Sequence, residues 1–327
     1  MWKKRLRHGG SENVPMASRG SLDAPAGFDS LVATGMSLSG PVAIWTSAAG
    51  SADLSASTES PGFATFPVSV PERAPSVALV SYSEGGNIEK TAHVAGLDVA
   101  HPHIELLADG SFLVVGARCY WREAGAELNA VVYDEGGAVV RRGCFGDGIE
   151  HVQVARDGTI WVGYFDEGVF GNYGWGNPGP EPLGSSGIAA WSPDFEKVWE
   201  LDASAGLVSD CYTLNVSDHE VLSAPYTDFP IVSIRSGAVA VTPTEGISGP
   251  RGILRSGDRI ALIGAYRDPG LLVLGEISNG KFVETARQHL TRPSGDPLPP
   301  GTVHCRGSVA HVFADNEWLS FDLSTLT

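Results

Sequence analysis

A chain of 327 residues, 43% hydrophobic and 18% charged, is long enough to bury a large core and too apolar to be disordered. Its formal charge of −16 argues against a nucleic-acid partner, because a phosphate backbone is held by a concentrated basic surface. No stretch approaches the roughly 18 to 20 apolar residues that span a bilayer, so no membrane partner is expected.

Residues 1–27 begin "MWKKRLRHGGSENVPMASRGS", with a basic start and no apolar segment behind it, unlike a secretory leader. They read as a flexible arm. The four cysteines (Cys119, Cys144, Cys211, Cys305) are scattered without a C-x-x-C spacing, so reduced, buried thiols and a cytoplasmic location are expected.

From Phe28 onward helical periodicity is nearly absent, and apolar residues alternate in short runs between turn residues. The first unit opens with "FDSLVATGMSLSGPVAIW" and carries an insertion, residues 49–75, rich in Ser, Ala and Pro. Then "HIELLADGSFLVVGARC" from His103, "HVQVARDGTIWVGYFD" from His151, "YTLNVSDHEVLSAPYTD" from Tyr212 and "RGILRSGDRIALIGAYRD" from Arg251 share one plan. Three of the four turn at Asp-Gly or Gly-Asp, whose residues tolerate positive φ. A second hairpin follows in each unit, as in "VALVSYSEGGNIEKTAHV" and "AVVYDEGGAVVRRGCF".

Four strands recurring roughly every 40 to 55 residues describe a propeller blade. The expectation is all-β: one six-bladed β-propeller domain of four-stranded antiparallel blades over 28–327. Its blades fall near 28–98, 99–147, 148–205, 206–247, 248–300 and 301–327. The last holds only three strand signals. An unpaired edge is disfavoured in a closed ring, so a segment before Phe28 is expected to supply the missing outer strand. A pair of β-sandwiches is the alternative architecture.

The strands of the "FLVVGARC" kind, the stretch "YFDEGVFGNYGWG" and "DCYTLNV" resemble an uncharacterised group of bacterial six-bladed propellers, over the whole region from Phe28. The likeness to NHL-like and gluconolactonase-like propellers is in general architecture alone. No metal-ligand pattern of the gluconolactonase kind stands in matching places, so the resemblance implies a fold and no activity.

In such a ring the first strand of each blade starts at one face of the channel. The loops joining second and third strands open at that same face. The aligned units therefore bring His103, His151, Tyr212 and Arg251 to one mouth, with His304 as the sixth unit's equivalent. His101, Glu150, Asp210 and Arg306 flank them, and Asp29 stands for the first unit. Imidazoles, carboxylates, a phenol and a guanidinium together suit a polar or anionic small molecule, or acid/base chemistry. Equally, such groups satisfy strand ends and water at a wet opening. His103, His151 and His304 also form a candidate set of three metal ligands, although no sequence spacing supports a particular metal or cofactor.

The loop from Gly168 to Gly187 offers Phe170, Tyr173 and Trp175 either as a cover over the mouth or as a self-packed loop. Equivalent loops repeat an aromatic beside a charge: Tyr120, Trp121 and Arg122; Tyr164, Asp166 and Glu167; Tyr226 and Asp228; Tyr266, Arg267 and Asp268. The sequence has no G-x-S-x-G elbow, Walker loop, H-E-x-x-H or WD dipeptide, and no strand-to-helix glycine fingerprint. Three readings follow. The first is a propeller binding a small molecule or peptide. The second is a lyase, hydrolase or isomerase with His103 or His151 as base, Tyr212 or Asp210 as acid and Arg251 beside the developing anion. The third is a protein-interaction platform. The sequence carries no signal for an oligomeric state.

Overall fold

The alternating runs become strands in the computed structural model, which describes residues 13–59, 62 and 65–326. Part of the expected arm, residues 1–12, lies outside the described residues. The first sheet consists of Ser30–Ser37, Gly40–Thr46, Val77–Tyr82 and Ile88–Val94. The second is Pro102–Leu106, Phe112–Gly116, Ala130–Tyr133 and Val139–Gly143. A third comprises Ile149–Val154, Ile160–Tyr164, Ile188–Trp191 and Lys197–Glu200. Asn215–Val216, Val221–Ser223, Ile231–Arg235 and Ala238–Thr242 form a fourth. The fifth is built from Gly252–Ser256, Arg259–Ala265, Asp268–Ser278 and Lys281–Thr291.

The last group holds Thr302–Arg306, Val309–Ala314 and Glu317–Asp322. Ala17–Ser21, from within the expected arm, pairs antiparallel with Glu317–Asp322 and covers its edge. A further short strand, Asn13–Pro15, runs parallel to Lys281–Thr291 on the outside of the fifth sheet and had no counterpart in the sequence reading. Between them Met16 is buried, and so is Leu22 beyond, which ties this part of the arm down.

Turn chemistry follows the sequence. Asp109 Oδ1 accepts the Ser111 N–H at 3.0 Å and Asp157 Oδ1 accepts that of Thr159 at 2.9 Å. Gly110 and Gly158 between them sit at φ 86° and 88°, where an L side chain is strained. The residues of the 49–75 insertion include the helix Ala48–Leu54, capped by Ser47, and the strand pair Ser57–Glu59 and Thr65–Pro67. Among the described residues no helix is long and apolar enough to cross a membrane.

Burial explains the order of the sheets. Val42, Ile44 and Leu79 of the first pack with Phe112, Val114 and Val131 of the second. Leu113 and Val115, pointing the other way from the same strand, pack with Val152, Val162 and Ala189 of the third. Similar clusters join the third to the fourth, the fourth to the fifth and the fifth to the last. Phe313 and Trp318 of the last pack with Ala43, Trp45 and Val80 of the first. Each sheet is thus apolar on both faces, which a four-stranded sheet tolerates only when covered on both sides.

The first strands crowd together. Gly35 lies against the Ile104 carbonyl so closely that a Cβ there would overlap it, and a Cβ at Gly252 would come within 2.8 Å of Cys305 Sγ. Asn215 and Cys305 even pair in parallel, joining the fourth and last groups into one eight-stranded sheet.

Candidate functional site

Along the converging first strands, polar residues stand at alternate positions and form two tiers. The inner tier is a closed network. Arg306 donates to both carboxylate oxygens of Glu105 at 2.9 and 3.1 Å, to the Met36 carbonyl at 2.8 Å and to that of Val154 at 2.9 Å. Gln153 donates to the Cys305 carbonyl at 3.1 Å and accepts the Val216 N–H at 2.8 Å. Asn215 donates to the carbonyls of Ile253 and Gly307 at 2.7 and 2.9 Å, and accepts the Gly307 N–H at 2.8 Å. Burial pushes the Glu105 carboxyl up to about 7, although the Arg306 guanidinium pulls it back.

Above this floor lies a cavity of 680 Å³. His103, Glu150, His151, Asp210, Tyr212, Arg251 and His304 all line it, together with Tyr266. The first sheet contributes Thr34 in place of the expected Asp29, which lines an adjoining cavity with Phe28, Trp45 and Phe313. Asp29 precedes the strand Ser30–Ser37, whereas Thr34 lies within it.

The imidazoles are held by neutral partners. His103 Nε2 lies 3.1 Å from the Ile149 carbonyl oxygen, which can only accept, so this nitrogen carries the proton. His304 Nε2 is 3.3 Å from Thr34 Oγ1, and the ring meets Phe313 edge to face. His151 Nε2 is buried without a hydrogen-bond partner. Burial lowers His304 to about 3, helped by the neighbouring His151, and burial also lowers His103 against the opposing pull of Glu150. Asp210 moves the other way, raised to about 7 by burial and then by the charges of Glu150 and Asp166. The Tyr212 phenol is raised by burial, and its oxygen lies 3.1 Å from Tyr266 Oη in a hydroxyl–hydroxyl hydrogen bond.

One expectation about this set needs correction. Among the described residues no three His, Cys, Asp or Glu side chains are grouped to hold a metal ion, so His103, His151 and His304 do not come together as a ligand set. Among the described residues no carboxylate hydrogen-bonds to any of the three.

The aromatic loop residues separate into two groups. Tyr173 and Trp175 do not cover the mouth; both are buried. Tyr173 lies against the Arg118 guanidinium, 3.9 Å from ring centre to Cζ, and Trp175 Nε1 donates to the Cys119 carbonyl at 2.8 Å. The cause is Arg118 itself, 3% exposed, which is held by Asp147 through two 2.9 Å hydrogen bonds and by Glu167. A buried guanidinium requires such a shell of carboxylates and ring faces. Tyr120 packs edge-on to Tyr173, and the Trp121 N–H donates to the Tyr173 carbonyl. Tyr164 is buried, with its hydroxyl on the Phe145 carbonyl at 2.8 Å. Phe170 is exposed and Asp166 accepts the Glu167 N–H. None of these residues lines the cavity.

Tyr226 belongs to the second group. Its backbone pairs with Asp210, and its ring lies 6.2 Å from that of Tyr212. Asp228 follows at φ 66° and its carbonyl accepts the Thr244 hydroxyl, whereas Arg267 is exposed beside Tyr266. Thr34, Glu105, Gln153, Asn215 and Phe229 escaped the sequence reading. For three of these a signal existed: Glu105, Gln153 and Asn215 interrupt apolar runs with long polar side chains.

No family model matches this chain, and no curated protein does. Among solved structures it is similar to a functionally unknown protein from Desulfotomaculum acetoxidans, with 10% identity over 94% of this chain and 87% of that one at a TM-score of 0.51. It is similar to a gluconolactonase from Xanthomonas campestris, with 12% identity over 94% and 98% of the chains at a TM-score of 0.43. BamB from Moraxella catarrhalis shares 14% identity over 95% and 92% at a TM-score of 0.46. At such identities a likeness concerns the fold and transfers no activity. The chain is mostly β.

Proposed function

We propose that the chain is a six-bladed β-propeller whose axial cavity binds a small polar molecule. Apolar clusters between every consecutive pair of sheets, including the last with the first, support the blade count. The observation that carries the binding reading is the contrast between the tiers. Floor residues are mutually satisfied, whereas around one 680 Å³ cavity His151 Nε2 is buried without a partner and Glu150, Asp210 and Arg251, the first and last exposed, make no ion pair among the described residues. Partnerless polar groups around a concave site of this size are what a ligand satisfies.

A hydrolase, lyase or isomerase is the second reading. What favours it is Asp210, raised to about 7 and therefore able to exchange a proton near neutral pH. Against it stands the lack of a carboxylate on any cavity imidazole. Thermal-shift screening of the purified chain with polar metabolites tests the binding reading. Compounds that raise the melting midpoint are expected to lose that effect in His151→Ala and Arg251→Ala. A screen without a stabilising compound, or hits indifferent to both substitutions, would overturn it.

A further inference from the structure

Tyr212 and Tyr266 line one side of the cavity, and Tyr226 and Phe229 pack against them outside its lining. Tyr212 sits at the centre of this group, with ring centres 5.1 Å from Phe229, 5.8 Å from Tyr266 and 6.2 Å from Tyr226. Phe229 also meets Tyr226 at 5.8 Å and Tyr266 at 6.1 Å. Phe229 is buried and anchors the group, but Tyr226 and Tyr266 remain 42% and 53% exposed. Interplanar angles of 75° and 87° at Tyr212 mean that edges meet faces, so the cluster is not a flat stack. Large rings left in water beside a cavity are unfavourable unless something covers them.

Two carboxylates share this side. The Asp210 backbone pairs with that of Tyr226, and Glu150 is close enough to raise the Asp210 carboxyl by its charge. Among the described residues neither carboxylate pairs with a cation or accepts a hydrogen bond. Arg251 lines the same cavity but does not bridge to them; its stem lies against Gly264. Like charges held together without a donor repel, and a cation relieves that repulsion.

We propose that Tyr212 and Tyr266, with the neighbouring exposed ring of Tyr226 and the carboxylates of Asp210 and Glu150, recognise an organic ammonium group at this side of the cavity. Ring faces attract a large, weakly hydrated cation through their quadrupoles, and the carboxylates supply the compensating charge. A bare metal ion fits less well, because no three ligating side chains are grouped here among the described residues. The inference rests on the cavity being a binding site and adds the chemical class of one part of the ligand.

Choline and its neutral isostere 3,3-dimethyl-1-butanol are the test probes, titrated calorimetrically into the full chain. Choline is expected to bind at least about tenfold more tightly than the isostere. Tyr226→Leu and Asp210→Asn each weaken choline about tenfold, with the unfolding midpoint of the unliganded chain reporting that both variants fold. Equal affinity for the two probes, or choline binding unchanged in folded variants, overturns the proposal. So does a chain that ignores choline, primary amines and tetramethylammonium while binding other compounds through His151 and Arg251. That last result leaves the cavity reading intact, so the two failures are distinct.

Discussion

Arg306→Met tests whether the floor of the cavity is held by one buried ion pair. Glu105 is 2% exposed, and its only charged hydrogen-bond partner among the described residues is Arg306. Its carboxyl is raised from 4.5 to about 7 in the folded chain. Between those values the unfolded chain has released the proton and the folded chain has kept it. Stability from this group is therefore full below pH 4.5 and declines as pH rises toward 7. At about 1.4 kcal/mol per pH unit, the decline totals about 3 kcal/mol.

Methionine fills similar space but donates nothing. At pH 6 Glu105 is neutral with or without Arg306, so the substitution costs mainly the bonds to the Met36 and Val154 carbonyls, about 1 kcal/mol each. Above pH 7 the parent chain ionises Glu105 beside Arg306, whereas the variant must keep it protonated. The cost of the substitution then grows by about 1.4 kcal/mol per pH unit, until the unpaired carboxyl finally ionises. Urea unfolding at pH 6, 7 and 8 measures this directly, and the double variant Glu105→Gln/Arg306→Met isolates the carboxyl. A cost independent of pH, or a double variant that keeps the pH dependence, would refute the assignment.

Three other outcomes are expected. Arg118→Ala leaves Asp147 buried and unpaired beside Tyr173, which costs about 3–5 kcal/mol in denaturant unfolding and speeds proteolysis within residues 168–187; an unchanged cleavage pattern counts against Arg118 as the loop's anchor. His304, lowered to about 3 by burial, contributes stability above pH 6.5 that is lost as pH falls toward 3, because the unfolded chain takes up the proton first. His304→Gln should flatten that acid limb in thermal melts, and a limb of the same steepness would contradict it. Cys119 and Cys144, with sulfurs 3.6 Å apart, should close a disulfide on treatment with diamide, read as a loss of about 2 Da in intact mass and of two titratable thiols; four thiols remaining after treatment would argue against it.

The repeat made much of the site legible. Strands in the same phase place equivalent residues at equivalent heights, so aligning "HIELLADG" with "HVQVARDG" already brings His103 and His151 to one opening. His304 follows from the same alignment, and all three line one cavity. Asp29 failed for a local reason: it precedes the strand Ser30–Ser37, and it is Thr34, well inside that strand, that reaches the cavity. Tyr173 and Trp175 failed for a distant one. Their loop is rich in glycine and aromatics, as a cover would be, but its destination is set by Arg118, about fifty residues earlier in the chain. A buried charge selects partners in space, and sequence spacing holds no record of that choice. The pairing of Ala17–Ser21 with the last sheet was legible only as a missing edge.

The two tiers of the axis separate architecture from function on energetic grounds. Every side chain of the inner tier answers another: Arg306 to Glu105, Gln153 to Cys305 and Val216, Asn215 to Ile253 and Gly307. Such a network fixes the heights of the first strands relative to one another. One step outward the accounting changes. His151 Nε2 is buried without a partner, and Glu150, Asp210 and Arg251 make no ion pair among the described residues. His103, His151 and His304 share their strands with inner-tier residues, whereas Asp210, Tyr212 and Arg251 precede theirs. A fold that needed only a sealed axis would lose nothing by closing the outer tier as it closes the inner. Among the described residues, the buried, unpartnered His151 Nε2 is the one group of the outer tier whose isolation carries a desolvation cost, which a hydrogen-bonding ligand of the proposed kind would offset.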